Sequence, residues 1–318
     1  MNAERPDLEL SEHLRAVEGD ALDSRAVRRA FGRAAGTYAE AAVLQREVGT
    51  RMAQRLDVVK LAPAAILDAG CGTGAAQREL ATRYPQARRV ALDLALPMLA
   101  ATREHGREHG SPLSRLAGLV RGTRPPPPPA CVCGDIAALP FASAAFDLVW
   151  SNLALQWIND LPRAIKEFRR VLKVGGLASF TTFGPDTLKE LRAAFAGADR
   201  HTHVSRFVDM HDIGDLLVHA GFADPVMDME YLTLTYADGE AMMRDLRAIG
   251  ATNATVGRPR GLMGRDRWRR MLAALERMRR DGRIPATFEV IYGHARKVAP
   301  KKTAEGLPIV RLERQPRG

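Results

Sequence analysis

The stretch Ala64-Ala-Ile-Leu-Asp68-Ala-Gly70-Cys-Gly72-Thr-Gly74 decides the fold. A short apolar run ends in an acid and passes into three glycines at alternate positions. An unbroken apolar run of this length reads as a parallel strand buried on both faces. The glycines let the chain turn sharply and bring its backbone close to a ligand. In D-x-G-x-G-x-G the third glycine comes one residue too early for the G-x-G-x-x-G of dinucleotide binders. A helix is predicted next, over 75–84, closed by Pro85. A ligand held by such a loop lies at the carboxyl edge of the sheet.

Outward from this loop, strand and helix signals alternate. A second strand over 89–93 ends in Asp93, and Pro97 opens a helix over 98–104. Strands follow over 131–135 and 145–152, a helix over 164–172 closed by Gly175-Gly176, and a strand over 177–182. Five such units imply a mostly parallel, doubly wound α/β sheet. Beyond Gly184, helices are expected over 187–195, 212–220, 239–249 and 265–280, with late strands over 226–236 and 287–295. The late strands complete the sheet, one of them as an antiparallel edge. Upstream, Ser24 reads as an N-cap. Val27, Phe31, Ala34, Tyr38, Leu44, Val48 and Met52 recur near helical spacing, as two helices broken near Gly36-Thr37. Five consecutive prolines, 125–129, exclude regular structure from the segment 105–130, read as an inserted surface loop. The expected organisation is a disordered N-terminus over 1–23, a single domain over 24–297 and a basic tail over 298–318. Within the domain lie a helical lid (24–56), the Pro-rich insertion (105–130) and a helical substrate region (185–285).

With 318 residues, 46% of them hydrophobic, the chain can bury a sizeable core. Three cysteines, Cys71, Cys131 and Cys133, give no disulfide framework. Cys131-Val-Cys133 lacks the second pair or nearby histidines of a zinc site, so no metal is expected and the thiols read as buried and inert. The polar, acidic start lacks the apolar run of a signal peptide, and no stretch of ~18 apolar residues exists. A cytoplasmic protein without membrane contact is expected. The net charge of +10 is concentrated after Arg258, where 17 Lys/Arg face 6 Asp/Glu. That surplus of 11 suggests an acidic partner.

Asp93 stands about twenty residues after the loop, where an acid can accept both ribose hydroxyls of a nucleoside. Asp135 and Ile136, after the third strand, can meet an adenine amino group and ring face. With Asp68-Ala-Gly-Cys-Gly-Thr-Gly74, these residues resemble the class I S-adenosylmethionine-dependent methyltransferases over about 64–183. The resemblance implies a Rossmann-like seven-stranded sheet in the order 3-2-1-4-5-7-6 with the last strand antiparallel. It implies S-adenosyl-L-methionine held by Asp68, Gly70, Cys71, Gly72, Gly74, Asp93, Leu94, Asp135, Ile136 and Asn152.

Further stretches narrow the resemblance: Phe31-Gly-Arg-Ala-Ala-Gly-Thr-Tyr38, Phe146 to Trp157, His203-Val-Ser-Arg-Phe207, Met243 to Thr252 and Pro285 to Tyr292. From about 25 to 297 the chain is similar to the malonyl-[acyl-carrier protein] O-methyltransferases of biotin synthesis. That implies methylation of the free carboxylate of malonyl-[acyl-carrier protein], with Tyr38 in a lid and Asn152, Gln156 and Trp157 beside the transferred methyl. The insertion and the tail depart from the family pattern. A related mitochondrial complex I assembly factor family, proposed to hydroxylate arginine, shares much of the pattern and supplies the alternative, as does methylation of another small carboxylate.

A carboxylate is ionised at neutral pH, so the implied reaction needs no general base. Alignment of the reacting atoms alone can supply on the order of 7–11 kcal/mol. Arg206 and Arg244 are the expected forks for the acceptor carboxylate, because guanidinium binds carboxylate bidentately, and His203 is expected to assist. No N-P-P-Y or D-P-P-Y motif follows the fourth strand, where Ser151-Asn-Leu-Ala stands, so nucleic acid is not expected as substrate. Acyl carrier protein is acidic and suits the basic surplus, in a binding that weakens with salt.

Overall fold

The structure is a computed structural model that describes residues 20–108, 127–258, 261 and 263–299. Strand β1 (Ala65–Ala69) is buried at all five positions, as its apolar run requires. Parallel to it lie β2 (Arg88–Asp93) and β3 (Ala130–Cys133) on one side, β4 (Phe146–Ser151) and β5 (Leu172–Phe183) on the other. Beyond β5, β7 (Ile284–Lys297) runs antiparallel and carries β6 (Phe222–Tyr236) outside it. The order is β3-β2-β1-β4-β5-β7-β6, and β7 is the reversed strand. Register aligns Asp68 with Ala91 and Trp150. The carboxyl ends of β1, β2 and β4 therefore open on one edge, where the glycine loop begins.

Helices α1 (Ser24–Ala41), α2 (Val43–Arg55), α3 (Ala76–Arg83), α4 (Leu96–Glu108) and α5 (Leu161–Val171) belong to the first two thirds of the chain. The remainder adds α6 (Lys189–Ala196), α7 (Met210–His219), α8 (Gly239–Ala248) and α9 (Arg265–Glu276). Two buried clusters hold these elements together. One joins Val48, Met52, Trp150, Phe195, Leu246 and Val290. The other joins Leu67, Val149, Ile165, Phe168 and Leu216. Each fully buried side chain of this size contributes about 1.5–3 kcal/mol of transfer free energy.

Several local features differ from the sequence reading. Asp23, not Ser24, caps α1: its carboxylate accepts from the amides of Arg25 (3.0 Å) and Ala26 (3.1 Å). The helix passes through Gly36-Thr37 and breaks at Ala42, because Thr37 donates to the carbonyls of Ala34 and Ala248 and so fastens that turn to α8. Residues 20–23, expected to be disordered, are tied down. The Asn159 amide pairs with both backbone groups of Leu22, at 2.7 and 2.8 Å, and Asp23 N–H donates to the Ala254 carbonyl. Gly175 (φ +84°) and Gly176 stand inside β5 and do not precede it. Of the three thiols only Cys71 is buried; Cys131 is half-buried and Cys133 exposed, because β3 is an edge strand. Most of the expected insertion, 109–126, lies outside the described residues, as do 1–19 and the tail from 300. No helix among the described residues is long and apolar enough to cross a membrane.

Candidate active site

The glycine loop leaves β1 with Gly70, Gly72 and Gly74 at φ +80°, +55° and +82°. A β-carbon at Gly70 would stand 2.4 Å from Cβ of Ala154, and one at Gly74 2.8 Å from Cγ2 of Thr102. Both space and backbone hand exclude side chains there. The amides of Gly70 and Cys71 donate to the Leu92 carbonyl at 2.8 and 2.9 Å, locking the loop onto the end of β2. Asp93 completes the turn, accepting from Gly72 N–H (2.9 Å) on one oxygen and Ala95 N–H (2.8 Å) on the other. Asp68 is buried beneath and accepts from Gln77 Nε2 at 2.6 Å.

These two acids sit where water is scarce. Burial pushes the Asp68 carboxyl up to about 7, against the Gln77 hydrogen bond and with help from the nearby Asp93 charge. Burial likewise pushes Asp93 up to about 6, against its backbone hydrogen bonds. The Tyr38 hydroxyl is raised above its ordinary value by burial and by Asp93 and Cys71, so it stays a phenol.

Around the loop runs a groove in two recesses. One, of ≈ 200 Å³, is lined by Asp68, Gly70, Cys71, Gly72, Arg46 and His105. The other, of ≈ 80 Å³, is lined by Asp93, Leu94, Asp135, Ile136 and Ile158, with Trp157 at its side. Gly70, Gly72, Tyr38 and Asn152 border both. Gly74 shapes the turn from behind, against Thr102. Asp135 is exposed and caps its own turn through Ala137 N–H, whereas Ile136 is buried. A polar recess joined to a narrower one with an acid at its floor fits an amino acid linked to a nucleoside.

A third space, a chamber of ≈ 250 Å³, lies behind Tyr38. Its walls are chiefly apolar: Phe31, Phe183, Leu191, Phe195, Leu246 and Phe288. A few polar side chains also face it, among them Gln45, Gln156, His203, Arg247 and Asn253. Tyr38 borders all three spaces and so marks where their contents meet. Trp157 braces the lid, meeting Phe31 edge-on at 5.1 Å.

The structure places the remaining expected residues as follows. The Asn152 amide is spent inside the protein: Nδ2 donates to the Gln45 carbonyl (2.8 Å) and Oδ1 accepts from Thr181 Oγ1 (2.7 Å). It therefore pins the lid to β5. Gln156 Nε2 donates to the Leu153 carbonyl at 2.8 Å, leaving Oε1 buried without a partner among the described residues. His203 stacks on Phe195 at 3.8 Å and pairs through Nε2 with Asp199 at 2.8 Å. The two expected arginines do not reach the chamber. Arg206 is 81% exposed and pairs with Asp20; Arg244 is 66% exposed and faces Glu240 one turn away at 3.9 Å. Arg247, one turn after Met243 on α8, lines the chamber in their place. Helical periodicity is the signal that finds it, since Met243, Leu246 and Arg247 share one face. Gln45 and Arg46 also escaped the sequence reading, because nothing in the lid separates cavity-facing polar residues from solvent-facing ones.

Comparison with known proteins adds three findings. A family profile described as a methyltransferase domain matches residues 67–180. A malonyl-[acyl-carrier protein] O-methyltransferase of Gallionella capsiferriformans is 53% identical over 290 residues, 91% of this chain and 96% of its own. Its counterpart from Laribacter hongkongensis is 56% identical over 291 residues, covering 91% and 95%. Among solved structures, the YcgJ protein of Bacillus subtilis superposes with a TM-score of 0.55 at 16% identity over 80% of this chain and 99% of its own. A second, from Bacillus halodurans and described as a putative methyltransferase, gives 0.51 at 17% identity, over 78% and 97%. At these identities the two structures speak to the fold.

Proposed function

The chain belongs to the malonyl-[acyl-carrier protein] O-methyltransferases, a family of S-adenosylmethionine-dependent enzymes, and we propose that it methylates the free carboxylate of a malonyl group carried by acyl carrier protein, early in biotin synthesis. The observation that carries this reading is the meeting of two compartments at Tyr38: a groove suited to the methyl donor and a largely apolar chamber suited to an acyl arm.

S-adenosylmethionine supplies an electrophilic methyl group on a sulfonium. Asp93 and Leu94 would hold its ribose, Asp135 and Ile136 its adenine. The loop from Asp68 through Cys71 and Gly74, with Arg46 opposite, would hold its amino-acid end. Tyr38 and Trp157 close the lid over it, while Asn152 and Gln156 keep the lid and the end of β4 in register. The malonyl carboxylate oxygen forms the new bond to the methyl carbon. With the carbon–sulfur electron pair left on sulfur, the transfer would balance without any proton having to move. Hence no general base is needed, and the phenol at Tyr38 serves the reaction as a wall and donor. Arg247 and His203 stand on the chamber side, where an anionic acyl arm enters. Arg206 and Arg244, on the outside, suit contact with an acidic carrier protein better than contact with the reacting carboxylate. The same reading places the enzyme in the cytoplasm.

Incubation with isotopically labelled S-adenosylmethionine and malonyl-carrier protein, malonyl-CoA or free malonate tests the reading. Label transferred to the carrier-bound malonyl group is the expected result, with a rate that falls as salt rises. Binding of S-adenosylhomocysteine without label transfer to any of the three would refute it.

A further inference from the structure

Gln45 stands on α2 at the boundary between the donor groove and the chamber. Apart from Tyr38, no other described residue lines both the chamber and the recess that holds Asp68 and Gly72. Its backbone is fixed, because the carbonyl of Gln45 accepts from Asn152 Nδ2 and Asn152 is itself held by Thr181. Its side-chain amide is not: Oε1 is buried without a hydrogen-bond partner among the described residues. Proteins rarely leave a buried amide unsatisfied, and those they leave call for an explanation. An amide can turn to present either its oxygen or its two N–H groups to the same point.

The neighbours narrow what this amide meets. Gln156 has committed one of its two N–H groups to Leu153, and it lines the chamber but not the recess that holds Asp68 and Gly72. Arg247 lines the chamber but not the donor groove. At the boundary itself two side-chain donors remain, the Tyr38 hydroxyl and the Gln45 amide. A carboxylate accepts and never donates, so it needs such donors. A neutral N–H orients its oxygens without drawing off the charge that makes them nucleophilic, which a guanidinium fork would do.

We propose that Gln45 is a specificity-determining residue of the acceptor site, whose side-chain N–H donates to the non-attacking oxygen of the malonyl carboxylate while the other oxygen takes the methyl group. The proposal rests on the carboxyl-methylating reading above. It predicts discrimination against acyl groups that lack the terminal carboxylate, which would leave this amide without a partner. It also explains release: the methyl ester no longer carries the charge that strengthened the bond.

The test compares the full-length wild-type protein with Gln45→Leu and Gln45→Glu, measuring kcat/KM for malonyl-carrier protein and calorimetric affinity for S-adenosylhomocysteine. Loss of a hydrogen bond to a charged group should lower kcat/KM of Gln45→Leu roughly 10- to 100-fold. Its affinity for S-adenosylhomocysteine should stay within about twofold, since the bond is made to the acceptor. Relative to wild type at the same pH, Gln45→Glu should be poorer still at pH 8 and recover as pH falls toward 5, because the protonated carboxyl again donates a hydrogen. Gln45→Leu should not show that recovery. A kcat/KM for Gln45→Leu within about twofold of wild type would overturn the proposal, on the same scale of bond loss. So would a loss of S-adenosylhomocysteine affinity equal to the loss of kcat/KM, or a Gln45→Glu enzyme without recovery at low pH. If instead the wild-type protein binds S-adenosylhomocysteine but forms no ester, the carboxyl-methylating reading itself fails, and this proposal with it.

Discussion

The donor groove and the acceptor chamber share Tyr38 as a wall, yet they are assembled in opposite ways. Apart from the lid residues, the groove draws its lining from one span of chain between Asp68 and Ile158, delivered by the carboxyl ends of adjacent strands. The chamber gathers Phe31, Phe195, Leu246 and Phe288 from four separate elements. The groove is shaped by backbone geometry, through positive-φ glycines and the acids that hold them. The chamber is shaped by packed apolar side chains and a few polar ones. A site made of backbone fails as a whole when one residue changes; one made of packed side chains loses one contact at a time.

The sharpest way to break that contrast is Gly70→Ala. Its β-carbon would overlap Ala154 while φ stays at +80°, a combined cost of about 3 kcal/mol, or roughly two orders of magnitude in S-adenosylhomocysteine affinity. Calorimetric titration checks it, and near-wild-type affinity would show that the loop is softer than its geometry implies.

A pH series sharpens the electrostatic half. Burial pushes the carboxyls of Asp68 and Asp93 up to about 7 and about 6, and in the proposed donor site both would accept from the ligand only when ionised. S-adenosylhomocysteine affinity should therefore rise about tenfold or more from pH 5 to 8 and level off above that. The ligand-free protein should behave in the opposite sense. Both folded-state values lie above those of an unfolded chain, so the folded state carries extra protons between about pH 4 and 7 and loses stability as pH rises through that window. Thermal unfolding of Asp68→Asn should show a flatter slope there; an unchanged slope would count against the buried-acid account.

Smaller effects belong to the chamber. Arg247→Ala should raise KM for malonyl-carrier protein about tenfold, the scale of one hydrogen bond to a charged group, while sparing S-adenosylhomocysteine affinity. Arg206→Ala should stay within about twofold at moderate salt, since a single exposed charge facing the carrier protein is worth little there. Equal and large losses in both variants would place the reacting carboxylate outside the chamber.

The same contrast explains what the sequence made legible. The strand ending in Asp68, the glycine spacing, Asp93 and Asp135 lie within local windows whose periodicity and turn chemistry are direct consequences of the backbone. The strand order and reversed β7 followed from the family those windows resemble. Arg206 and Arg244 were misplaced because a guanidinium's direction depends on which face of a helix or loop packs inward. That is settled by Phe195, Leu246 and Phe207, far apart in sequence. Asn152 illustrates a subtler limit: its position at the end of β4 was legible, but its partners Gln45 and Thr181 lie 107 and 29 residues away. The break of the lid at Ala42 depended likewise on Thr37 meeting α8.

Intact-protein mass spectrometry of malonyl-carrier protein, after reaction with trideuteromethyl-labelled S-adenosylmethionine, tests the central claim most directly. One labelled methyl group per malonyl arm, lost on mild base treatment as an ester must be, is the predicted result. An unchanged mass in a sample whose enzyme retains S-adenosylhomocysteine, or a label that survives base, would contradict it.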